Sequence, residues 1–169
     1  MGLLAWRERP VALLAIGAAV SLAAIGAALV SQHVFDIQPC PWCVLQRLIF
    51  AVIALACLLG LLWRSRVAQR VAGGAVILLS IEGIVAALWQ HFVAAASASC
   101  NLTFADRVMN GLGLDAALPE IFQARASCAD AAVKLLGVPY EFYSLALFIA
   151  LGVAGALVLT QPIGRHAQR

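Results

Sequence analysis

The chain is expected to be an all-α membrane protein, a bundle of four transmembrane helices with two loops outside and both termini in the cytoplasm. Three observations lead there. Only 11% of its 169 residues are charged, against about 25% in ordinary soluble domains, and its mean hydropathy is +0.98. Four apolar runs each approach the roughly 20 residues that a helix needs to cross about 30 Å of hydrocarbon. Lysine and arginine are distributed among the connecting segments as the positive-inside bias requires. The length suits a single membrane domain over residues 1–169. A net charge of +3 is too small to suggest nucleic acid. The chain shows no Gly-rich phosphate loop, fixed-period repeat or low-complexity tract.

The first run, residues 11–30, carries no charge and follows Arg7 and Arg9. It is longer than the apolar region of a secretory signal, and three more spans follow, so it reads as a retained span. The first outer loop, residues 31–43, ends in "QPCPWC" and has no lysine or arginine. The second run, residues 44–63, is broken only by Gln46 and Arg47 at its start. Arg64, Arg66 and Arg70 in the next link keep that link inside. The third run, residues 71–93, contains Glu82, an intramembrane carboxylate and hence a functional candidate. The second outer loop, residues 94–141, holds Gly111, Gly113 and Pro119 and reads as irregular and mobile. The fourth run, residues 142–160, is uncharged, and Arg165 and Arg169 follow it. Trp6, Trp42, Trp63 and Trp89 all fall near span ends, as an interfacial belt requires. Glycine and alanine inside the runs allow close helix approach.

Four of the five cysteines then face outside, where disulfides persist: Cys40 and Cys43 in the first loop, Cys100 and Cys128 in the second. A bacterial inner membrane with its loops in the periplasm fits that layout. Pro41 suits the first turn of a helix, which makes Cys40 its N-cap and Cys43 a first-turn residue. The positive end of the helix dipole favours a thiolate there. Arg47, four residues on, shares the helix face of Cys43. Blander readings stand beside this one. A CxxC is half a zinc site, but no second close pair completes it, so no metal site is assigned. A structural disulfide between Cys40 and Cys43 would close a very short loop and stabilise little. Arg47 alone would be a snorkelling interface residue. Cys57, in "ALACLLG", reads as a packing residue.

A disulfide between Cys100 and Cys128 would either staple the loop or be open to attack by a partner's thiolate. Taken together, the two pairs suggest a relay. Electrons enter at the loop pair, pass by exchange to the pair at the membrane surface, and leave to an acceptor dissolved in the bilayer. A quinone accepts two electrons and two protons, and Arg47 would stabilise negative charge on its oxygen.

These residues resemble the disulfide bond formation protein B family, quinone reductases that reoxidise a periplasmic DsbA-type dithiol oxidase. The likeness covers nearly the whole chain and is carried by "SQHVFDIQPCPWCVLQR" (31–47), "WQH" ending at His91, and "LPEIFQARASCA" (118–129). It implies that Cys100 is attacked by the reduced thioredoxin-fold partner. Cys128 then leaves as thiolate and exchanges into the Cys40–Cys43 pair. Cys40 would be the exchanging member, Cys43 would face the quinone, and Arg47 and His91 would bind it, although His91 also reads as an interfacial polar residue. Ubiquinone is the first candidate and menaquinone the second. Val133 and Phe142 depart from the family, standing where relatives often carry tryptophan.

Two competing readings remain. A protein like vitamin K epoxide reductase also joins a loop pair to a CxxC, but in the opposite chain order. A non-catalytic membrane scaffold or metal-binding module with structural disulfides would leave Arg47 dispensable.

Overall fold

Four helices carry 18-residue windows of mean hydropathy 2.2–2.4 and are long enough to cross a membrane. The structure, a computed structural model, describes residues 2–63, 65–96 and 103–161, with residues 2–8 as backbone alone. Cys100, Arg64, Arg165 and Arg169 lie outside the described residues, as do the side chains of Trp6 and Arg7.

Helix α1 spans Gly2–Val34 and α2 spans Pro41–Leu62. Ser65 caps α3 (Arg66–Trp89) by accepting from the N–H of Ala68, and the helix runs on into a π-helical turn, Gln90–Ala94. Three short helices follow: α4 (Phe104–Leu112), α5 (Leu114–Ala117) and α6 (Pro119–Phe122). A small antiparallel hairpin pairs β1 (Lys134–Leu135) with β2 (Val138–Pro139) and leads into α7 (Tyr140–Thr160).

Helix α3 packs most extensively on α7, while α2 packs between α1 and α3. Small residues set these distances, because without water the helices are held by van der Waals contact. A Cβ on Gly83 would lie 2.5 Å from the ring of Phe148. That ring in turn stacks on Phe50 of α2 at 4.2 Å and 9°. The glycine on α3 thus lets aromatics of α7 and α2 meet. On the same α3–α7 seam, a Cβ on Gly155 would stand 2.8 Å from the Gly73 carbonyl. Arg70 closes the far end, donating to the carbonyl of Leu159 at 2.9 Å, a cationic cap on otherwise orphan carbonyls. Glu82 lies on an exposed face of α3, and Cys57 is buried against Gly17, the packing position its neighbours indicate.

Over residues 104–122 the second loop departs from the expected irregular segment and forms short helices. Thr103 and Asp106 form a reciprocal capping box at the start of α4, which satisfies two of the orphan N–H groups there. Gly113 is the left-handed C-cap of α4, and Pro119 opens α6. These residues therefore punctuate short helices. Met109 and Phe122 bury against Val44 of α2 and hold the segment on the end of the bundle.

Candidate active site

The site starts at the N-terminus of α2. Cys40 is the N-cap, in extended conformation, and its sulfur accepts the N–H of Cys43 at 3.3 Å. Pro41 occupies the first turn without losing a needed donor. The two sulfurs lie 2.7 Å apart. Cys40 is fully buried, and Cys43 is partly buried. Gln90, in the π-helical turn, donates its side-chain N–H to the Cys43 sulfur at 3.2 Å. Gln46 holds Gln90 in turn, donating to its Oε1 at 2.7 Å.

Cys128 reaches this pair through the backbone. The N–H groups of Arg125 and Ala126 both donate to the carbonyl of Pro39, at 2.9 and 3.2 Å. The segment after α6 is thereby fastened directly before the CxxC. Ser127 then turns the chain, with its hydroxyl accepting the N–H of Asp130. The Cys128 side chain hydrogen-bonds to Cys40 and to the backbone of Trp42. Cys128, expected in a loop disulfide open to attack, is itself buried at 8% exposure, because this part of the loop docks. Burial pushes the Cys40 thiol well above its ordinary range. The hydrogen bond with Cys40, aided by the Trp42 backbone, draws Cys128 below it against its own burial. Of these two thiols, Cys40 is the weaker acid and Cys128 the stronger. Cys40, Cys43, Cys57 and Cys128 are free thiols.

On the other side of Cys43 lies a cavity of about 220 Å³ between α1, α2 and α7, with loop residues 37–39 and the hairpin above. Ala24, Ala27 and Ala28 leave the room on α1. Tyr140, at the start of α7, donates to Ser31 of α1 at 3.2 Å, and Tyr143 holds Leu135 of the hairpin at 2.7 Å. Cys43 and Arg47 share its lining. Arg47 is 6% exposed. It donates to Gln32 Oε1 at 2.8 Å, to the Ile121 carbonyl at 3.0 Å and to the Ala28 carbonyl at 3.4 Å. All three acceptors are neutral, so the buried cation still favours negative charge placed near it. It is no snorkelling residue, since it ties α6 and α1 to α2.

His91, the other predicted ligand, lies in the π-helical turn between Phe92 and Phe142, with both ring centroids at 4.8 Å. It does not line the cavity itself. Its Nδ1 forms a 2.5 Å hydrogen bond with Glu141, which does. Among the predicted site residues, the fold therefore brings together Cys40, Cys43, Cys128 and Arg47, with His91 one residue removed. Sequence reasoning missed Gln32, Gln46, Gln90 and Glu141. Their signal was present, as uncompensated amides and a carboxylate within a few residues of apolar runs, where burial demands a partner.

A cavity of this size is smaller than the roughly 300–1,000 Å³ of sites that enclose a whole drug-sized ligand. It suits a single ring whose tail stays in the bilayer. Its alanine-lined wall and the Arg47 cation, a donor toward carbonyl oxygen, fit a planar dicarbonyl such as a quinone head group.

The family model for disulfide bond formation protein DsbB matches residues 9–158. Curated relatives agree. Disulfide bond formation protein B of Herminiimonas arsenicoxydans is 33% identical over 147 residues, covering 86% of this chain and 91% of the relative. That of Ralstonia nicotianae is 31% identical over 153 residues, covering 90% and 92%. Disulfide bond formation protein B 1 of Pseudomonas savastanoi pv. phaseolicola is 32% identical over 137 residues, covering 79% and 80%.

Proposed function

Because the chain belongs to the disulfide bond formation protein DsbB family, a family of disulfide-forming membrane oxidoreductases, we propose that it is a thiol:quinone oxidoreductase of the bacterial inner membrane. It reoxidises a periplasmic DsbA-type dithiol partner, with its loop end in the periplasm. The observation that carries this reading is the placement of Cys43 between two neighbours. On one side are the sulfurs of Cys40 and Cys128. On the other is a cavity also lined by Arg47.

The exchange steps balance as follows. A partner thiolate bonds to Cys100 and breaks a Cys100–Cys128 disulfide, and Cys128 leaves as thiolate. The partner's second thiolate displaces Cys100, so the partner departs oxidised. Cys128 attacks Cys40 of a Cys40–Cys43 disulfide and expels Cys43 as thiolate. Cys100 then displaces Cys40, which restores the loop disulfide and leaves the membrane pair reduced. The lowered Cys128 and raised Cys40 thiols suit these roles, since the attacking sulfur carries the charge and the sulfur released takes up a proton.

A quinone bound in the cavity would supply the acceptor for two electrons and two protons. Arg47 would bind and polarise its oxygen, Gln90 would steady the Cys43 sulfur, and the apolar wall would exclude water. The direction follows from potential. A DsbA-type partner is already near −120 mV, and each 30 mV of two-electron gap is worth about 1.4 kcal/mol, which a high-potential quinone provides.

The test is quinone absorbance in detergent after addition of a reduced DsbA-type protein. Rapid loss of the oxidised quinone signal is expected, and none with Cys43→Ser. Equal turnover in Cys43→Ser would sink the relay.

A further inference from the structure

Glu141 is 4% exposed, at the first turn of α7. One carboxyl oxygen bonds His91 Nδ1 at 2.5 Å, and the other is buried without a hydrogen-bond partner among the described residues. The residue lines the cavity shared by Cys43 and Arg47. Its partner His91 is 31% exposed, so the pair joins an accessible imidazole to a buried oxygen at the cavity wall. A buried carboxyl oxygen without a partner is costly, and its position beside the cavity points to a use there.

The thiol chemistry leaves such a use open. When Cys43 reacts as thiolate and Cys40 as thiol, an S–S bond forms, the two sulfurs lose two electrons, and Cys40 releases one proton. The acceptor takes two electrons and two protons. The second proton cannot come from Cys43, which left the preceding exchange as thiolate. We propose that the Glu141–His91 pair supplies this second proton, Glu141 giving it into the cavity and His91 replacing it from outside the bundle. This rests on the quinone reading above and assigns the proton path within it.

The titratable and charged groups facing Glu141 are His91 from the π-helical turn, Cys43 and Arg47 from α2, Tyr140 and Tyr143 from α7, and Cys128 from the loop. Helix α1 adds none to the cavity lining.

The experiment uses full-length protein in detergent with short-chain ubiquinone. Oxidation of the reduced Cys40–Cys43 pair is followed in single turnover from pH 5.5 to 8, in wild type, Glu141→Gln and His91→Gln. Ubiquinone affinity is read separately, by quenching of tryptophan fluorescence in a non-reacting Cys43→Ser background with and without Glu141→Gln. The expected result is affinity within about twofold and a rate near neutral pH about 10²-fold lower, the low end for a positioned acid. The variant rate should also fall close to tenfold per pH unit, because its proton must now come from bulk solvent. Added formic acid should restore the Glu141→Gln rate in proportion to its concentration. If Glu141→Gln loses helical content, the His91→Gln slope decides. A wild-type rate and pH profile in the variant overturns the proposal. So does a rate loss matched by lost affinity and untouched by formic acid, which would mark Glu141 as structural. Wild-type protein that neither binds nor reduces ubiquinone defeats the quinone reading instead.

Discussion

Gln90 donates its amide N–H to the sulfur of Cys43 at 3.2 Å from the first position of a π-helical turn, and is itself held by Gln46. Two side chains on neighbouring helices thus aim one donor at the sulfur beside the cavity. A hydrogen bond to a charged acceptor contributes about 1.5–3 kcal/mol, and 1.4 kcal/mol is about tenfold in rate. Gln90→Leu should therefore slow quinone reduction by at least about tenfold with the helices intact, read by single-turnover absorbance and circular dichroism.

Arg47 serves the fold and the cavity together. Arg47→Ala removes the donor from Gln32 Oε1 and from the carbonyls of Ile121 and Ala28. Each buried acceptor left unsatisfied costs roughly 1–3 kcal/mol. The expected outcome is a lower denaturation midpoint in detergent together with weaker ubiquinone affinity. Arg47→Lys keeps the charge but not the forked donor geometry, so it should retain more affinity than stability. A change in affinity alone in Arg47→Ala would show that these three bonds contribute little.

The thiols should titrate apart. Cys128 is held below its ordinary range chiefly by the Cys40 hydrogen bond, and Cys40 above it by burial. Thiolate is the reactive form. As pH falls, alkylation of Cys40 should be lost before that of Cys128. Site-resolved mass spectrometry of alkylated protein reads both curves, and Cys40→Ala, which removes the hydrogen bond, should move the Cys128 midpoint upward.

The Gly83 seam should tolerate no side chain. A methyl group there would meet the Phe148 ring at 2.5 Å, and that ring is fixed by its stack on Phe50. Gly83→Ala should destabilise by about 1–3 kcal/mol, the usual range for overpacking. Adding Phe148→Leu should recover part of the loss, measured by thermal unfolding in detergent. A Gly83→Ala protein as stable as wild type would show that Phe148 moves aside freely.

Much of the site's local geometry was legible in the residues. Pro41 after Cys40 encodes an N-cap, and the spacing from Cys43 to Arg47 encodes one helix face. The second loop was legible only in part. Its T-x-x-D capping box and the glycine after α4 are local signals. What docks it is Phe122 and Met109 meeting Val44, which no local pattern announces.

The amino-acid order alone determined four helices long and apolar enough to cross a membrane and the placement of a cysteine pair at the start of the second. Those features depend on hydropathy over about 20 residues and on caps within one turn, and both are local. Only the tertiary structure decided that Cys128 lies against Cys40, that the acceptors of Arg47 are Gln32, Ile121 and Ala28, and that Glu141 meets His91. Those partners lie far apart in the chain. Their pairing follows from helix packing set by small residues such as Gly83, and from the cost of burying a polar group without a partner.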